Sequence, residues 1–249
     1  ADADRPLSRR DNLDPTLDLS HTLRACTPSG SAAKPPVVVY ASTIAVYGAP
    51  LTDPVTPCTP TRPPMVYGVH KLACEILLAD HTRRGLLDGR SLRLPGIVAR
   101  PRAPSGLVSA FMSELLHALS AGERFTCPVG PASTAWWMSA RRCAQNLIHA
   151  AAMDPALDAQ SQAARAWPLP VLRLSIAELV RTLSQAYAVD GERLVRYAPS
   201  PAVEAVFGRY PVLDDRVSRA LGLRDDGSAE ALVRRALDSP TAEVDAAWP

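Results

Sequence analysis

The sequence predicts an α/β fold: an open, mostly parallel sheet carrying a smaller α+β lobe toward the C-terminus. Three observations predict it. The run Val37-Val38-Val39-Tyr40 within Pro36 to Ser42 is short, continuous and β-branched, as expected of a strand buried on both faces of a parallel sheet. Helix-spaced leucines precede it and a long helical pattern follows it. A second apolar strand, Ser91 to Val98, then completes a helix-strand-helix-strand alternation, which is the order of an open α/β sheet.

The elements follow in chain order. Asp11 to Cys26 carries Leu13, Leu17, Leu19 and Leu23 at mostly helical spacing and ends at a Thr27-Pro28-Ser29-Gly30 breaker cluster. The strand Pro36 to Ser42 leads into a proline-rich loop, Pro50 to Pro64. Val66 to Arg84 is a helix with Gly85 as its stop. Beyond Pro104 the pattern changes. A helix is expected over Leu107 to Leu119, an extended piece over Arg124 to Val129 and a helix over Ser139 to Ala152. Arg165 to Pro170 returns as a strand. Ser175, with Glu178 three residues on, is a capping box opening a helix to Ala188. A short strand at Leu194 to Ala198 and helices near Asp214–Leu221 and Ser228–Leu237 precede a tail. The expected organisation places residues 1–104, joined by 139–170, in the sheet domain. Residues 105–138 and 171–240 form the lobe, and 241–249 the tail.

Composition removes several classes of function. Hydrophobic residues are 47% and charged residues 21% of 249, which suits a folded chain with a sizeable core rather than a disordered one. The net charge of +2 is too small to argue for nucleic acid or an anionic membrane surface. No apolar run of about 18 residues is present, so no transmembrane helix is expected. Five cysteines, at 26, 58, 74, 127 and 143, include no C-x-x-C pair. That argues against a disulfide framework or a zinc site and fits a reducing, cytoplasmic compartment. The histidines share no metal-ligand spacing, so no metal is expected.

The chemistry-bearing residues converge from three stretches. Tyr40-Ala41-Ser42-Thr43-Ile44-Ala45-Val46-Tyr47-Gly48 brings hydroxyls to the carboxyl end of a strand, where ligands bind in open α/β sheets. Tyr67-Gly68-Val69-His70-Lys71 puts Tyr67 and Lys71 on one helix face. The third is the strand Leu92 to Val98 leading into Arg100-Pro101. A phenol with a pKa near 10 is a poor base at neutral pH. A neighbouring ammonium stabilises the phenolate and lowers that pKa, so a Tyr with Lys four residues on can serve as the general base for an alcohol proton. Arg141 can clamp a carboxylate bidentately; a surface role fits it as well. Asn12 can cap a helix or support the active-site helix, Trp136 and Trp137 suit core packing, and His70 suits an exposed position.

With YASTIAVYG followed by YGVHK, the chain resembles the extended short-chain dehydrogenase/reductases, the NAD-dependent epimerase/dehydratases. Further likeness lies in DNLDPT, SLRLPGIVARP, SGLVSAFMSELL, WWMSARRCAQNLIHAA and RYPVLDDRVSRALGLRDD, so it covers nearly the whole chain. It is strongest to the branch that oxidises D-erythronate. The resemblance implies a Rossmann-like sheet and an NAD cofactor, with NADP as the alternative. Tyr67 would be the base, Lys71 would hold the nicotinamide ribose, and Thr43 would be the catalytic hydroxyl, with Ser42 as its neighbour and backup. Ala41, Ser42, Pro95, Ile97 and Val98 would line the cofactor together with Tyr67 and Lys71. Ser42, Thr43, Tyr67 and Arg141 would meet a small sugar acid on its way to the 2-oxo acid. Ser105-Gly106 would begin the substrate lobe. Relatives often dimerise through the helices that correspond to residues 11–26 and 66–84. A nucleotide-sugar epimerase or dehydratase is the enzymatic alternative, and a non-catalytic remnant of the fold the other.

The pattern also departs from the family. The G-x-x-G-x-x-G turn that binds pyrophosphate has no match: the only glycines before Gly85 are Gly30, Gly48 and Gly68. At the usual length of a βαβ unit, about 80 residues of a Rossmann half are wanting. The chain opens Ala1-Asp2-Ala3-Asp4 with no initiator Met and reads as the interior of something longer. The expectation is an N-terminally truncated sheet that binds NAD poorly by itself. Pro15, where the family has Gly, and Thr134-Ala135, where erythronate-oxidising relatives carry basic residues, are further departures.

Overall fold

The computed structural model describes residues 5–26, 34–102, 107–154 and 165–238. The chain folds as two units. Unit one is Ala1–Pro95, Cys143–Val171 and Tyr210–Asp225, and unit two is Gly96–Arg142, Leu172–Arg209 and Asp226–Pro249. In chain order the elements begin with α1 (Arg5–Asn12), α2 (Asp14–Cys26), β1 (Val37–Thr43), α3 (Val66–Arg83), β2 (Asp88–Leu94), β3 (Gly96–Val98), α4 (Ala110–Ser120), β4 (Phe125–Cys127) and β5 (Thr134–Ser139). They continue with α5 (Ala140–Ala152), β6 (Ala166–Pro168), β7 (Leu172–Ser175), α6 (Ile176–Tyr187), α7 (Gly191–Leu194), β8 (Val195–Tyr197), α8 (Pro201–Phe207), α9 (Arg216–Ala220) and α10 (Ala229–Leu237).

Unit one is built on the parallel sheet β1-β2-β6. The register pairs Val37 with Asp88 through to Thr43 with Leu94. Among the described residues β1 has a partner on one side only. That corrects the expectation of a strand buried on both faces: Val37 is 43% exposed and Ser42 is its one buried residue. The central strand is β2, although its sequence is the more polar. Gly89, Arg90, Ser91 and Leu92 are buried. Arg90 is accommodated because its guanidinium donates to the Ala150 and Met153 carbonyls at 2.6 and 2.7 Å, closing the end of α5. Arg165 donates to the Gly89 carbonyl and pairs with Asp88.

The helices of unit one start and stop for local reasons. The sequence pattern ran one helix from Asp11; the structure has two, because Pro15 lacks an N–H and is tolerated only near a helix start. α2 accordingly begins at Asp14. α3 ends as expected at Gly85, whose φ of +69° suits glycine. Gly222 plays the same part after α9, where a Cβ would strike the His149 ring.

Pro95 separates β2 from β3, which the sequence pattern read as one strand. Proline cannot donate to a ladder, and β3 joins a different sheet, β3-β5-β7, in unit two. β5 was not foreseen as a strand. It pairs in parallel with β3 and antiparallel with β7 and carries Trp136, Trp137 and Met138 fully buried. The Trp137 indole donates to the Leu174 carbonyl at 3.1 Å, so the ring is buried without an unmet donor. Leu115, Leu116 and Leu119 of α4, Leu179 and Leu183 of α6, and Leu232 of α10 belong to the core residues of this unit. β4 pairs with β8, and the Ser175–Glu178 capping box is present. α8 and β7 were not anticipated. Residues 210–225 belong with unit one, whereas the sequence reading put them in the lobe. The expected lobe start at Ser105-Gly106 and the tail 241–249 lie outside the described residues.

Gly68 fixes how α3 meets the turn after β1. A Cβ there would lie 2.8 Å from the Ala45 carbonyl oxygen and 2.8 Å from Pro63 Cβ, and neither can yield easily. Gly68→Ala is therefore expected to destabilise the protein by about 1–3 kcal/mol, measured as a lowered urea midpoint with an unchanged m-value.

Candidate functional site

Four of the sequence-nominated residues, Ala41, Thr43, Tyr67 and Lys71, come together in unit one. β1 ends at Thr43, whose hydroxyl accepts the Ala45 N–H at 3.2 Å and so caps the short 3-10 turn Ile44–Tyr47. α3 lies beside that strand end. Tyr67 and Lys71, one helical turn apart, share its inner face. The Lys71 ammonium donates to the Ala41 carbonyl at 3.0 Å. It lies 4.9 Å from the centroid of the Tyr40 ring and 5.8 Å from that of Tyr67.

Electrostatics at this cluster are set first by burial. Burial pushes the Tyr67 phenol above its ordinary pKa, and a hydrogen bond with the Thr43 hydroxyl works the other way. Burial also lowers the Lys71 pKa. Tyr40 is raised too, by burial and then by the adjacent Cys74 thiol. The expectation that Lys71 holds Tyr67 below the usual phenol range is thus reversed. Burial disfavours the phenolate and the ammonium alike.

Ser42 stands apart from its expected place. It is 2% exposed, and its hydroxyl donates to the Glu75 carboxylate rather than facing the strand end with Thr43. Glu75, 3% exposed, is gripped by Arg93. The guanidinium Nη2 donates to Oε2 at 2.8 Å, and Nε lies 3.1 and 3.3 Å from the two oxygens. A further Arg93 nitrogen donates to the Tyr47 hydroxyl at 3.0 Å, and the guanidinium stacks 4.9 Å from that ring's centroid. Burial acts against the Arg93 charge, but Glu75 and Tyr47 outweigh it and raise its pKa. Burial raises the Tyr47 phenol, with Arg93 opposing. Sequence reading missed this network. Its signal was a single charge in each of two apolar runs, Glu75 within Leu72–Leu78 and Arg93 between Leu92 and Leu94; buried charges of that kind are normally paired.

The remaining candidates are placed as follows. Pro95 is buried at the end of β2. Ile97 and Val98 lie on β3 and Arg141 is exposed on the first turn of α5, all in unit two; Val98 is fully buried. Asn12 donates to the Ser8 carbonyl at 3.0 Å, and its own carbonyl accepts the Cys74 thiol, so it ties α1 to α3. His70 is half-buried rather than exposed, 3.2 Å from the Ser8 hydroxyl. Among the described residues no three His, Cys, Asp or Glu side chains are grouped to hold a metal. No helix among them is long and apolar enough to cross a membrane.

A parallel α/β sheet with a Tyr-x-x-x-Lys helix beside its strand end defines the class of enzymes that work with a nicotinamide cofactor. The chain belongs to the NAD dependent epimerase/dehydratase family, whose model matches residues 5–152. It is 31% identical to a D-erythronate dehydrogenase of Cupriavidus necator over 94% of this chain and 70% of that protein. It is 27% identical to one of Haemophilus influenzae over 80% of this chain and 63% of that protein. A crystal structure described as a nucleoside-diphosphate-sugar epimerase from Agrobacterium tumefaciens superposes with a TM-score of 0.83 at 31% identity. That match covers 94% of this chain and 67% of the other. An L-threonine dehydrogenase structure from Cupriavidus necator shares the fold, with a TM-score of 0.73 at 21% identity over 91% and 70%.

The Thr43 hydroxyl is the one group described that draws the Tyr67 pKa down. Thr43→Val should therefore move the Tyr67 titration further up. The measurement is a spectrophotometric phenol titration, taken as the difference between proteins with and without Tyr67→Phe.

Proposed function

We propose that the chain carries the catalytic residues of an NAD-dependent oxidoreductase that oxidises a secondary hydroxyl of a small sugar acid, D-erythronate or a close relative, to the 2-oxo acid. The observation that carries this reading is the Thr43–Tyr67–Lys71 cluster at the end of β1. When bound, a nicotinamide cofactor would supply the hydride acceptor for the substrate carbon. Tyr67 takes the hydroxyl proton, and the Thr43 hydroxyl holds the substrate oxygen against the phenol. Lys71 has three N–H donors, and one reaches the Ala41 carbonyl. Two are left for the hydroxyls of the nicotinamide ribose, so the residues present fit that half of the cofactor. Ala41 and Pro95 of unit one are the proposed cofactor lining. The cofactor is proposed as NAD rather than NADP on the family's name alone. The scattered thiols support a cytoplasmic setting.

Turnover is tested with NAD and D-erythronate, following NADH absorbance. Tyr67→Phe should lower kcat by about two to four orders of magnitude with the urea midpoint preserved; an unchanged rate would remove Tyr67 from the role of base. The pH dependence has a definite sign. The phenol must be ionised to act, and burial raises its pKa above the ordinary value near 10. Over neutral to mildly alkaline pH, kcat/KM should thus rise about tenfold per unit, and the rise should stop where the Lys71 ammonium, its own pKa lowered, loses its proton.

Two further readings are distinguishable by experiment. The likeness to a structure described as a nucleoside-diphosphate-sugar epimerase favours a nucleotide-sugar substrate, which predicts turnover of a uridine or guanosine diphosphate sugar and none of the acid. The other reading is a non-catalytic chain of this fold with weak NAD affinity; tight NAD binding in calorimetry would defeat it.

We also propose that the chain forms a homodimer through α2 and α3. Met65, Val69 and Ile76 are 38%, 48% and 62% exposed, and Leu19 of α2 is 48% exposed. Met65, Val69, Leu72 and Ile76 follow the alternating three- and four-residue spacing of a helix-packing stripe. Sedimentation equilibrium should show a dimer that Ile76→Asp converts to monomer.

A further inference from the structure

Ser42, Glu75, Arg93 and Tyr47 form a buried network that touches every segment carrying the candidate catalytic groups. Ser42 immediately precedes Thr43. Tyr47 ends the turn that Thr43 caps. Glu75 lies one helical turn beyond Lys71 and two beyond Tyr67, on the same face of α3. Arg93 is the register partner of Ser42 across β1 and β2. α3 is therefore tied to β1 at two successive turns: Lys71 to the Ala41 carbonyl, and Glu75 to the Ser42 hydroxyl.

Two bonds at successive turns of one helix to neighbouring residues of one strand fix both rotation and sliding of the helix. A single bond would leave the helix free to pivot. A buried ion pair is a weak device for stability alone, because desolvation offsets most of its attraction, and its best-attested use is to specify register. Here every oxygen of the Glu75 carboxylate is engaged, by Ser42 and Arg93, and Arg93 is engaged again by Tyr47.

We propose that Glu75 is a positioning residue: with Ser42, Arg93 and Tyr47 it locks α3 to the end of β1 and so sets the spacing between the Tyr67 phenol and the Thr43 hydroxyl. The proposal rests on reading Tyr67 as the base. It also assigns Ser42 to the lock, not to substrate or cofactor.

The test uses Ser42→Ala, which removes one tie and leaves the ion pair, and Glu75→Gln, which keeps shape and removes charge. With NAD and D-erythronate, Ser42→Ala should lower kcat by about ten- to a hundredfold, the scale of a small misplacement of reacting groups, with KM held within about twofold. The double variant should be little worse than Glu75→Gln alone, since coupled residues are non-additive. A raised KM at constant kcat would make Ser42 a substrate contact and overturn the proposal. A second readout needs no turnover. Amide exchange at residues 43–47 and 69–75 should quicken about tenfold in Ser42→Ala, while the urea midpoint moves little. Unchanged exchange in both segments would refute the lock even with Tyr67 confirmed as the base. Faster exchange alongside an active Tyr67→Phe protein would instead fault the base and leave the lock standing.

Discussion

The constraint on which unit one depends is a carboxylate taken out of water. Glu75 sits on the inner face of α3 and is almost fully buried, so its charge must be met within the protein. Arg93 meets it from the middle of the sheet, Ser42 from the strand end, and Tyr47 completes the guanidinium's shell. Neither Glu75 nor Arg93 could be apolar without leaving the other as an unpaired buried charge, and removing one partner of a buried pair costs more than the pair contributes. The arrangement of β1, β2, the 3-10 turn and α3 is thereby over-determined at a single point, next to Thr43.

The same dryness explains the titration behaviour nearby. On sequence alone, an ammonium one turn from a phenol argues for a depressed phenol pKa. That argument treats the pair in isolation. In the folded chain Tyr67 and Lys71 are both partly buried, and desolvation disfavours phenolate and ammonium alike. Which effect wins depends on water exclusion, and water exclusion is a property of the packing of α3 on β1, not of the Tyr-x-x-x-Lys spacing.

Much of the fold was legible where local chemistry decided the outcome. The α3 boundaries follow from Gly85, the α6 start from the Ser175 capping box, and the parallel pairing of β1 with β2 from the helix between them. What escaped was set by neighbours. The run Val37–Tyr40 read as a strand buried on both faces, yet β2 is the buried strand, because Arg90 and Arg93 find carbonyls and a carboxylate to satisfy them. Hydropathy ranks residues as if no partner were present. Thr134–Ser139 was passed over as a strand because its two tryptophans and a methionine sit beside a helix start and show no alternation. All are buried, since β5 lies between β3 and β7. Pro95 marked a break that apolar content masked.

For the candidate site, motif spacing named Thr43, Tyr67 and Lys71, and the fold gathers them. Ser42 shows where spacing runs out. Adjacent residues on a strand point to opposite faces, so Ser42 and Thr43 cannot both serve one ligand as equivalent hydroxyls. Thr43 points toward Tyr67, and Ser42 therefore points into the sheet-helix interface, where the waiting acceptor is Glu75. The period of two along β1 separates Thr43 from Ser42, and the two helical turns between Tyr67 and Glu75 on one face of α3 give each its own partner. Thr43 and Tyr67 make one set and Ser42 and Glu75 the other, with Lys71 reaching the backbone between them. The chemistry proposed for the first set needs the geometry that the second set holds.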